Sequence, residues 1–376
     1  MCSVFSVFAV LCHLCRAVFA VEPRGTNIMS PTRDEQSERF EKTRITDMVY
    51  ELVKEPHPDV EVVLFHGLQL DQSARTCADA YWRTWKMRND EDCWLETLLP
   101  KLLLKDQVQL KARVLSVSYE ARADFSRVRE GKEITDEYIL AESLVRELVL
   151  STGELGQKAG VPVVLVGHDL GGILIKELVM TVEKMEALRI EDWDKKKLGM
   201  FSKNLKLVFF YAVPQSGSKV IEETIAKIPE NSRHKMLPLM KVLNKETARI
   251  NQSFQQYRQC PDSHRPKFQV AAVLPASETS QGGYNGQVIP EASIRPGVDS
   301  LLTVKADHFQ VCQPEAYHSS SAQFLADKIH EAVGSKDSYG RNRTLSASEH
   351  EKGKQQSRNE LQAQYNSTIS QASSRQ

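Results

Sequence analysis

One short stretch of the chain, VVLVGHDLGG at residues 163–172, places a carboxylate where an apolar run ends in a glycine-rich turn. Such a turn between a strand and a helix predicts a nucleophile elbow, which presents one catalytic side chain above the end of the strand. The elbow positions are Gly167, His168, Asp169, Gly171 and Gly172. Most elbows carry serine at the third position, so Asp169 is either a different nucleophile or the replacement of a lost one.

An oxyanion site is the second part that an elbow needs. His66-Gly67 directly follows an apolar run at residues 60–65, which is where the loop of such a site is expected. The backbone N–H groups of Leu68 and Leu170 would then point at negative charge that develops on a substrate oxygen.

The candidate general base is His308, on a loop before the last predicted helix. Its position completes the chain order of nucleophile, acid and histidine that such sites share. The acid that orients His308 should follow the apolar run at residues 267–274, and Glu278 is the best placed, with Asp299 second. Less favoured acids are Glu291 and Asp307.

These side chains must be positioned by alternating strands and helices. Short runs that are apolar on both faces alternate with segments of helical periodicity, which predicts a mostly parallel sheet with helices on both faces. The apolar runs are VEVVLF (60–65), ARVLSVSY (112–119), VPVVLV (161–166), LKLVFFYAV (205–213) and KFQVAAVL (267–274). Residues 219–264 break this rhythm with amphipathic helices, and they form either a lid over the site or ordinary surface helices.

The ends of the chain differ from its middle. Residues 1–20 are an apolar leader, read as a signal or an anchor, and residues 21–45 are a polar linker. Residues 46–335 form the folded domain, and residues 336–376 are too polar to bury a core and are expected to be disordered. The leader favours a secretory, endomembrane or mitochondrial location. Without its use as a signal, the chain would be cytoplasmic.

Charge and cysteine content limit the partners. The chain has 376 residues, and 49 Lys and Arg balance 49 Asp and Glu, so the formal net charge is zero. This balance, without a basic cluster interleaved with aromatic residues, argues against a nucleic-acid partner. The seven cysteines lack metal-ligand spacing, so we expect no metal site and no cofactor. A small-molecule or lipid ligand is the expected partner, with peripheral membrane contact, and the oligomeric state stays open.

Several motifs lie within about residues 58–333: VEVVLFHGL, YWRTW, CWLETLLPKLL, ARVLSVSYEA, VVLVGHDLGGILIKEL, LVFFYAVPQSGS, IPEASIRPG and ADHFQVCQP. Together they resemble the lipase-like serine-active-site-containing protein family of α/β hydrolases. The resemblance implies an α/β-hydrolase fold and an acyl-hydrolase or lipid-remodelling ancestry, often tied to membranes or mitochondria. The family's motif has serine where this chain has Asp169, and usually Pro-His where this chain reads VPQSGS (213–218).

Three functions follow from an aspartate at the elbow. Loss of the serine predicts a fold that keeps its pocket for a ligand, a lipid or a partner, with esterase activity weak or lost. A carboxylate can instead displace at an sp3 carbon, as in epoxide hydrolases and haloalkane dehalogenases, with His308 then activating water. The third function is slow hydrolysis, in which water attacks with the help of His308 and the oxyanion site.

Overall fold

The computed structural model describes residues 44–70, 79–124, 136–151, 153–188, 191–260 and 267–334. The predicted leader, nearly all of the predicted linker and the predicted C-terminal tail lie outside these ranges. None of the helices in the described ranges combines the length and the apolar character that a membrane crossing requires.

The described residues contain a seven-stranded sheet and a separate two-stranded one. The strands are β1 (Val49–Val53), β2 (Val60–Phe65), β3 (Leu104–Lys105), β4 (Val108–Gln109), β5 (Ala112–Val117), β6 (Val163–His168), β7 (Leu205–Tyr211), β8 (Gln269–Pro275) and β9 (Ser300–Val304). The large sheet has the order β1-β5-β2-β6-β7-β8-β9, and β3 pairs with β4. Only β1, at one edge, runs antiparallel to its neighbour, and the other six strands are parallel.

Helices connect the parallel strands. They are α1 (Ala80–Arg83), α2 (Trp94–Thr97), α3 (Leu99–Leu102), α4 (Glu137–Val145), α5 (Leu170–Ala187), α6 (Asp192–Asn204), α7 (Lys219–Ala226), α8 (Lys245–Gln259), α9 (Glu291–Ile294) and α10 (Ser320–Gly334). Shorter turns are a π-helical one at Arg146–Leu150 and 3₁₀ ones at Glu230–Ser232, Leu237–Met240 and Gln310–Cys312.

The centre of the sheet is covered on both faces. All six residues of β2 and all six of β6 are buried. Because successive side chains of a strand point to opposite faces, full burial requires that both faces be packed. Helix α5 packs against β2, β6 and β7, and α10 packs against β7, β8 and β9. The apolar runs of the sequence therefore form the core.

The middle strand leads into the most buried helix. Strand β6 is fourth in the sheet and passes through a single-residue turn into α5, which packs between α4, α6, α8 and the sheet. A mostly parallel sheet whose central strand enters a helix through such a turn is the α/β-hydrolase fold, which confirms the predicted fold class. The carboxyl ends of β2, β6 and β8 bring the predicted site segments to one edge of the sheet.

Candidate active site

Asp169, the residue predicted at the tip of a nucleophile elbow, has a strained backbone conformation. Its φ is 53° and its ψ is −124°, which places a residue other than glycine in a region that L-residues rarely adopt. The backbone N–H of Asp169 donates to the carbonyl oxygen of Tyr211 at 3.0 Å, and the N–H of Gly172 donates to the carbonyl oxygen of Asp169 at 3.1 Å. Such strain costs about 1–3 kcal/mol and persists at functional sites because the surrounding packing holds it.

The elbow glycines are needed because α5 begins directly against the sheet. A Cβ on Gly171 would overlap the carbonyl oxygen of Phe65, and a Cβ on Gly172 would overlap the side chain of Val213. A Cβ on Gly167 would lie 2.7 Å from the backbone of Gly172. Close approach of strand and helix therefore fixes all three positions as glycine.

The side chain of Asp169 lies where the sequence predicts an oxyanion site. The backbone N–H of Leu68 donates to Oδ2 of Asp169 at 3.0 Å. Burial raises the pKa of Asp169 to about 7, although hydrogen bonds from the backbones of Leu68 and Leu170 act in the opposite direction. The two residues predicted to hold a substrate oxyanion thus surround the carboxylate of the chain's own elbow residue.

The other carboxylate oxygen faces His308 without forming an ion pair. Nε2 of His308 lies 3.5 Å from Oδ1 of Asp169, and neither atom has a hydrogen-bond partner among the described residues. Burial, together with the neighbouring His168, lowers the pKa of His308 well below its usual range. Because burial also raises the pKa of Asp169, both groups are shifted toward their neutral forms rather than toward opposite charges.

The main chain, and not an acid, holds His308 in place. The N–H of His308 donates to Oγ1 of Thr279 at 3.0 Å, and its carbonyl oxygen is 2.9 Å from Nε2 of His168. Nδ1 of His308 has no hydrogen-bond partner among the described residues. A catalytic histidine needs an acceptor at Nδ1 to fix its tautomer and to stabilise its cation, so this base lacks that support.

None of the acids proposed from the sequence reaches His308. Glu278 is exposed, whereas the next residue, Thr279, is buried and bonds the main chain of His308. Asp299 accepts hydrogen bonds from the N–H of Val270 at 2.7 Å and from Arg258 at 2.5 Å. Asp307 accepts the N–H groups of residues 309 and 310, and Glu291 pairs with Arg295. The structure therefore brings Asp169, His308, Leu68 and Leu170 together but leaves Glu278 outside.

Two other histidines support the same edge of the sheet. His66 stacks on Tyr119 with ring centroids 4.1 Å apart, and the Tyr119 hydroxyl donates to the carbonyl oxygen of His66. Nδ1 of His66 is 3.0 Å from the carbonyl oxygen of Gly67, so the ring braces the loop that presents the Leu68 N–H. Burial lowers the pKa of His66 and of His168 to about 4, which keeps both rings neutral.

Tyr284 is a site residue that the sequence did not reveal. It is 3% exposed, and its hydroxyl has no hydrogen-bond partner among the described residues. Its ring meets the ring of His308 edge-on with centroids 5.5 Å apart and stacks on Phe309 at 5.8 Å. Burial, and then the charge of Asp169, raises the pKa of Tyr284. The surrounding GGYNG pattern signals a turn, and nothing in it marks a ligand-binding side chain.

A cavity of about 290 Å³ opens beside this site. The described residues that line it are Leu68, Gln69, Leu70, Arg83, Thr84, His168, Gln281, Gly282, Phe309, Cys312 and Gln313. None of them comes from residues 219–264, the segment that the sequence offered as a lid. Helix α8 of that segment packs against α5 instead, so its apolar face is used within the fold.

A second buried charge lies on α5, seven residues after Asp169. Nζ of Lys176 donates to Oε1 of Gln215 at 2.5 Å and to Oδ1 of Asn251 at 2.6 Å. It also lies 5.2 Å and 5.7 Å from the ring centroids of Phe210 and Phe254. Burial, and then Arg258, lowers the pKa of Lys176 to about 7. This cluster joins α5, α8 and the loop after β7.

Comparison with known proteins gives distant similarity. No protein-family model matches the chain. Protein SERAC1 of Homo sapiens is 24% identical over 290 residues, which cover 73% of this chain and 39% of that protein. The chain thus spans about two fifths of the length of the curated relatives it matches.

Two solved structures illustrate the structural similarity. The mature lipase BlEst2 of Bacillus licheniformis has a TM-score of 0.43 at 14% identity, with 76% of this chain and 97% of that chain covered. The peroxisomal α/β-hydrolase Lpx1 of Saccharomyces cerevisiae has a TM-score of 0.42 at 13% identity, with 84% and 89% covered. The chain is therefore similar in sequence to Protein SERAC1 over about three quarters of its own length.

Proposed function

We propose that this chain is an α/β-hydrolase-fold protein that binds a small-molecule or lipid ligand and has lost acyl transfer. One observation carries the proposal. The N–H of Leu68, which would stabilise a substrate oxyanion, is already bound to Oδ2 of Asp169. Removing one such donor from a working hydrolase costs about 10²–10³ in kcat, and here the elbow side chain takes it permanently.

The remaining parts of the site agree with this function. Nδ1 of His308 meets no acid within the part of the chain that the structure describes, so a histidinium formed during acyl transfer would be unsupported. Asp169 has a pKa of about 7, so a large fraction of it is protonated at neutral pH and cannot attack. The cavity beside Leu68 and His168 provides space for a ligand without requiring chemistry.

The experiment compares the full-length chain with Asp169→Ser. Both proteins receive a fluorophosphonate probe and 4-nitrophenyl esters of short and long acyl chains. Serine is shorter than aspartate and leaves the N–H groups of Leu68 and Leu170 free, so we expect probe labelling and at least a tenfold gain in ester turnover.

The control is the double variant Asp169→Ser with His308→Ala, which should lose that gain. Circular dichroism establishes that every variant is folded. Ester turnover by the wild type that equals or exceeds that of Asp169→Ser, and that disappears in Asp169→Ala, would overturn the proposal.

A second candidate function, alkyl transfer to Asp169, is favoured by one observation. Oδ1 of Asp169 has no hydrogen-bond partner among the described residues and faces Nε2 of His308, while Oδ2 is held by Leu68. Oδ1 could attack a carbon of an epoxide or a haloalkane and form an alkyl ester on Asp169; the carbon–oxygen bond breaks to an alkoxide that takes a proton from water, or the halide leaves as an anion. Water deprotonated by His308 would then attack the ester carbonyl carbon and release the alcohol.

An isotope experiment separates this candidate from the first. A single turnover of an epoxide in H₂¹⁸O would leave one ¹⁸O in the carboxylate of Asp169, because water enters at the ester carbonyl carbon. Mass spectrometry of the peptide that holds Asp169 would then show an isotopic shift. The binding function predicts no epoxide turnover and no shift.

A further inference from the structure

Orphaned polar atoms are concentrated beside Asp169. Oδ1 of Asp169, both ring nitrogens of His308 and the hydroxyl of Tyr284 are buried and lack hydrogen-bond partners among the described residues. Such atoms are costly to bury, and folded proteins rarely leave several together. The Tyr284 ring meets the His308 ring with centroids 5.5 Å apart, and Nε2 of His308 lies 3.5 Å from Oδ1 of Asp169, so the three side chains form one cluster.

Above pH 7, where Asp169 is mostly ionised, this cluster contains a negative charge without a cation. The titratable side chains around Asp169 are Tyr119, His168, Tyr284, His308 and Cys312. Burial lowers the pKa of the two histidines and raises that of the two tyrosines and the thiol, so all five are neutral at pH 7. The backbone donor Leu68 is already bound to Oδ2. An anionic head group at Oδ1 would therefore meet a like charge, while Arg83, which lines the neighbouring cavity, is paired with Asp79 at 3.4 Å.

A hydroxyl group matches the cluster better than an anion does. It offers one O–H donor and two acceptor lone pairs. Oδ1 of Asp169 can accept its proton, while the Tyr284 hydroxyl and one protonated ring nitrogen of His308 can donate to its oxygen. One hydroxyl would thus form hydrogen bonds with three groups that have no partner among the described residues.

Building on the proposed binding function, we propose that the site holds a neutral lipid or small molecule through an alcohol hydroxyl, and that it discriminates against the corresponding carboxylate. Asp169 and Tyr284 bind the hydroxyl. The apolar part of the ligand lies against Leu68, Leu70 and Phe309 in the neighbouring cavity. A cavity of about 290 Å³ suits a chain of medium length.

The test uses 1-octanol and octanoate, which share a chain length and differ in head group. Calorimetric titration of the full-length wild type at pH 8 should show octanol binding at least tenfold more tightly than octanoate. At pH 5.5, where Asp169 is protonated and octanoate is still largely ionised, this ratio should fall severalfold. Asp169→Asn should show the smaller ratio at both pH values.

Tyr284→Phe tests the second contact. We expect it to weaken octanol binding about fivefold or more, whereas the matched control Tyr138→Phe, an exposed tyrosine of α4, should leave binding unchanged. Octanoate binding as tight as octanol binding, or octanol binding that Tyr284→Phe leaves intact, would overturn this inference alone. Failure of both probes to bind would overturn the proposed binding function together with it.

Discussion

Asp169, directly before the first residue of α5, and Lys176, within that helix, are both buried but differ in their hydrogen bonding. Lys176 is 1% exposed, and its ammonium donates to two amide oxygens and faces two aromatic rings. Asp169 is also 1% exposed, but among the described residues only its Oδ2 accepts a hydrogen bond, whereas Oδ1 accepts none. The protein itself therefore supplies polar partners to Lys176 but to only one oxygen of Asp169.

Electrostatics alone does not explain this difference. Burial lowers the pKa of Lys176 to about 7 and raises the pKa of Asp169 to about 7, so the two groups change charge near the same pH. The distinction lies in their hydrogen-bond partners. A buried charged group with hydrogen-bond partners inside the protein indicates a structural role. A buried carboxylate with one unbonded oxygen beside a cavity favours a binding role.

The largest expected effect is the loss of stability on removal of the Lys176 side chain. Lys176→Ala leaves Oε1 of Gln215 and Oδ1 of Asn251 without their donor and opens a cavity between α5 and α8, so we expect a loss of about 4 kcal/mol in unfolding free energy. Urea denaturation followed by circular dichroism measures it. The control Lys219→Ala, whose side chain is 83% exposed, should change stability by less than about 0.5 kcal/mol. Equal effects of the two variants would refute the structural role.

Asp169→Asn should raise the free energy of unfolding, and the size of this gain should depend on pH. The folded-state pKa of Asp169, about 7, lies above its unfolded value, so between about pH 4 and 7 the folded state binds more protons. Wild-type stability from this group therefore falls as pH rises through that window. We expect Asp169→Asn to be more stable than the wild type by up to about 4 kcal/mol above pH 7 and nearly equal near pH 4. A difference in stability that is constant from pH 4 to 8 would contradict the burial of an unpaired carboxylate.

Tyr284→Phe should have a much smaller effect on stability. No described residue bonds its hydroxyl, so we expect a change within about 0.5 kcal/mol in either direction. The buried Tyr211 is the matched control, because its hydroxyl donates to the carbonyl oxygen of Ser321 at 3.1 Å. Tyr211→Phe should cost about 1 kcal/mol in the same urea titration. A loss for Tyr284→Phe as large as that for Tyr211→Phe would show that the hydroxyl is already bonded.

The smallest expected effect concerns the acid predicted from the sequence. In the Asp169→Ser background, Glu278→Gln should leave ester turnover within about twofold, because Glu278 is exposed and His308 bonds Thr279 instead. Steady-state kinetics with 4-nitrophenyl butyrate measures it. A hundredfold loss of ester turnover would show that Glu278 accepts a hydrogen bond from Nδ1 of His308 in solution.

The parts of the site that the sequence predicted are local ones. The elbow follows from a glycine pattern between an apolar strand and a helix, and the loop at Leu68 follows from a glycine directly after a strand. The acid could not be predicted in this way. Glu278 and Thr279 are neighbours, and the path of the chain after β8 decides which one faces inward.

The sequence also could not decide whether residues 219–264 form a lid or ordinary surface helices. An amphipathic pattern such as that of α8 shows that one face is buried but not what covers it, and α8 packs on α5. Tyr284 lies in a turn, where no periodicity marks buried side chains, so its place beside His308 depends on tertiary structure alone.

The central claim is that Asp169 occupies its own oxyanion site, and the amide signal of Leu68 tests it most directly. In the chain labelled with ¹⁵N-leucine, the Leu68 resonance should titrate with a midpoint near pH 7, because its N–H is bound to the Asp169 carboxylate. The titration should vanish in Asp169→Asn. A Leu68 resonance that does not move between pH 5 and 9, or that still titrates in Asp169→Asn, would contradict the claim.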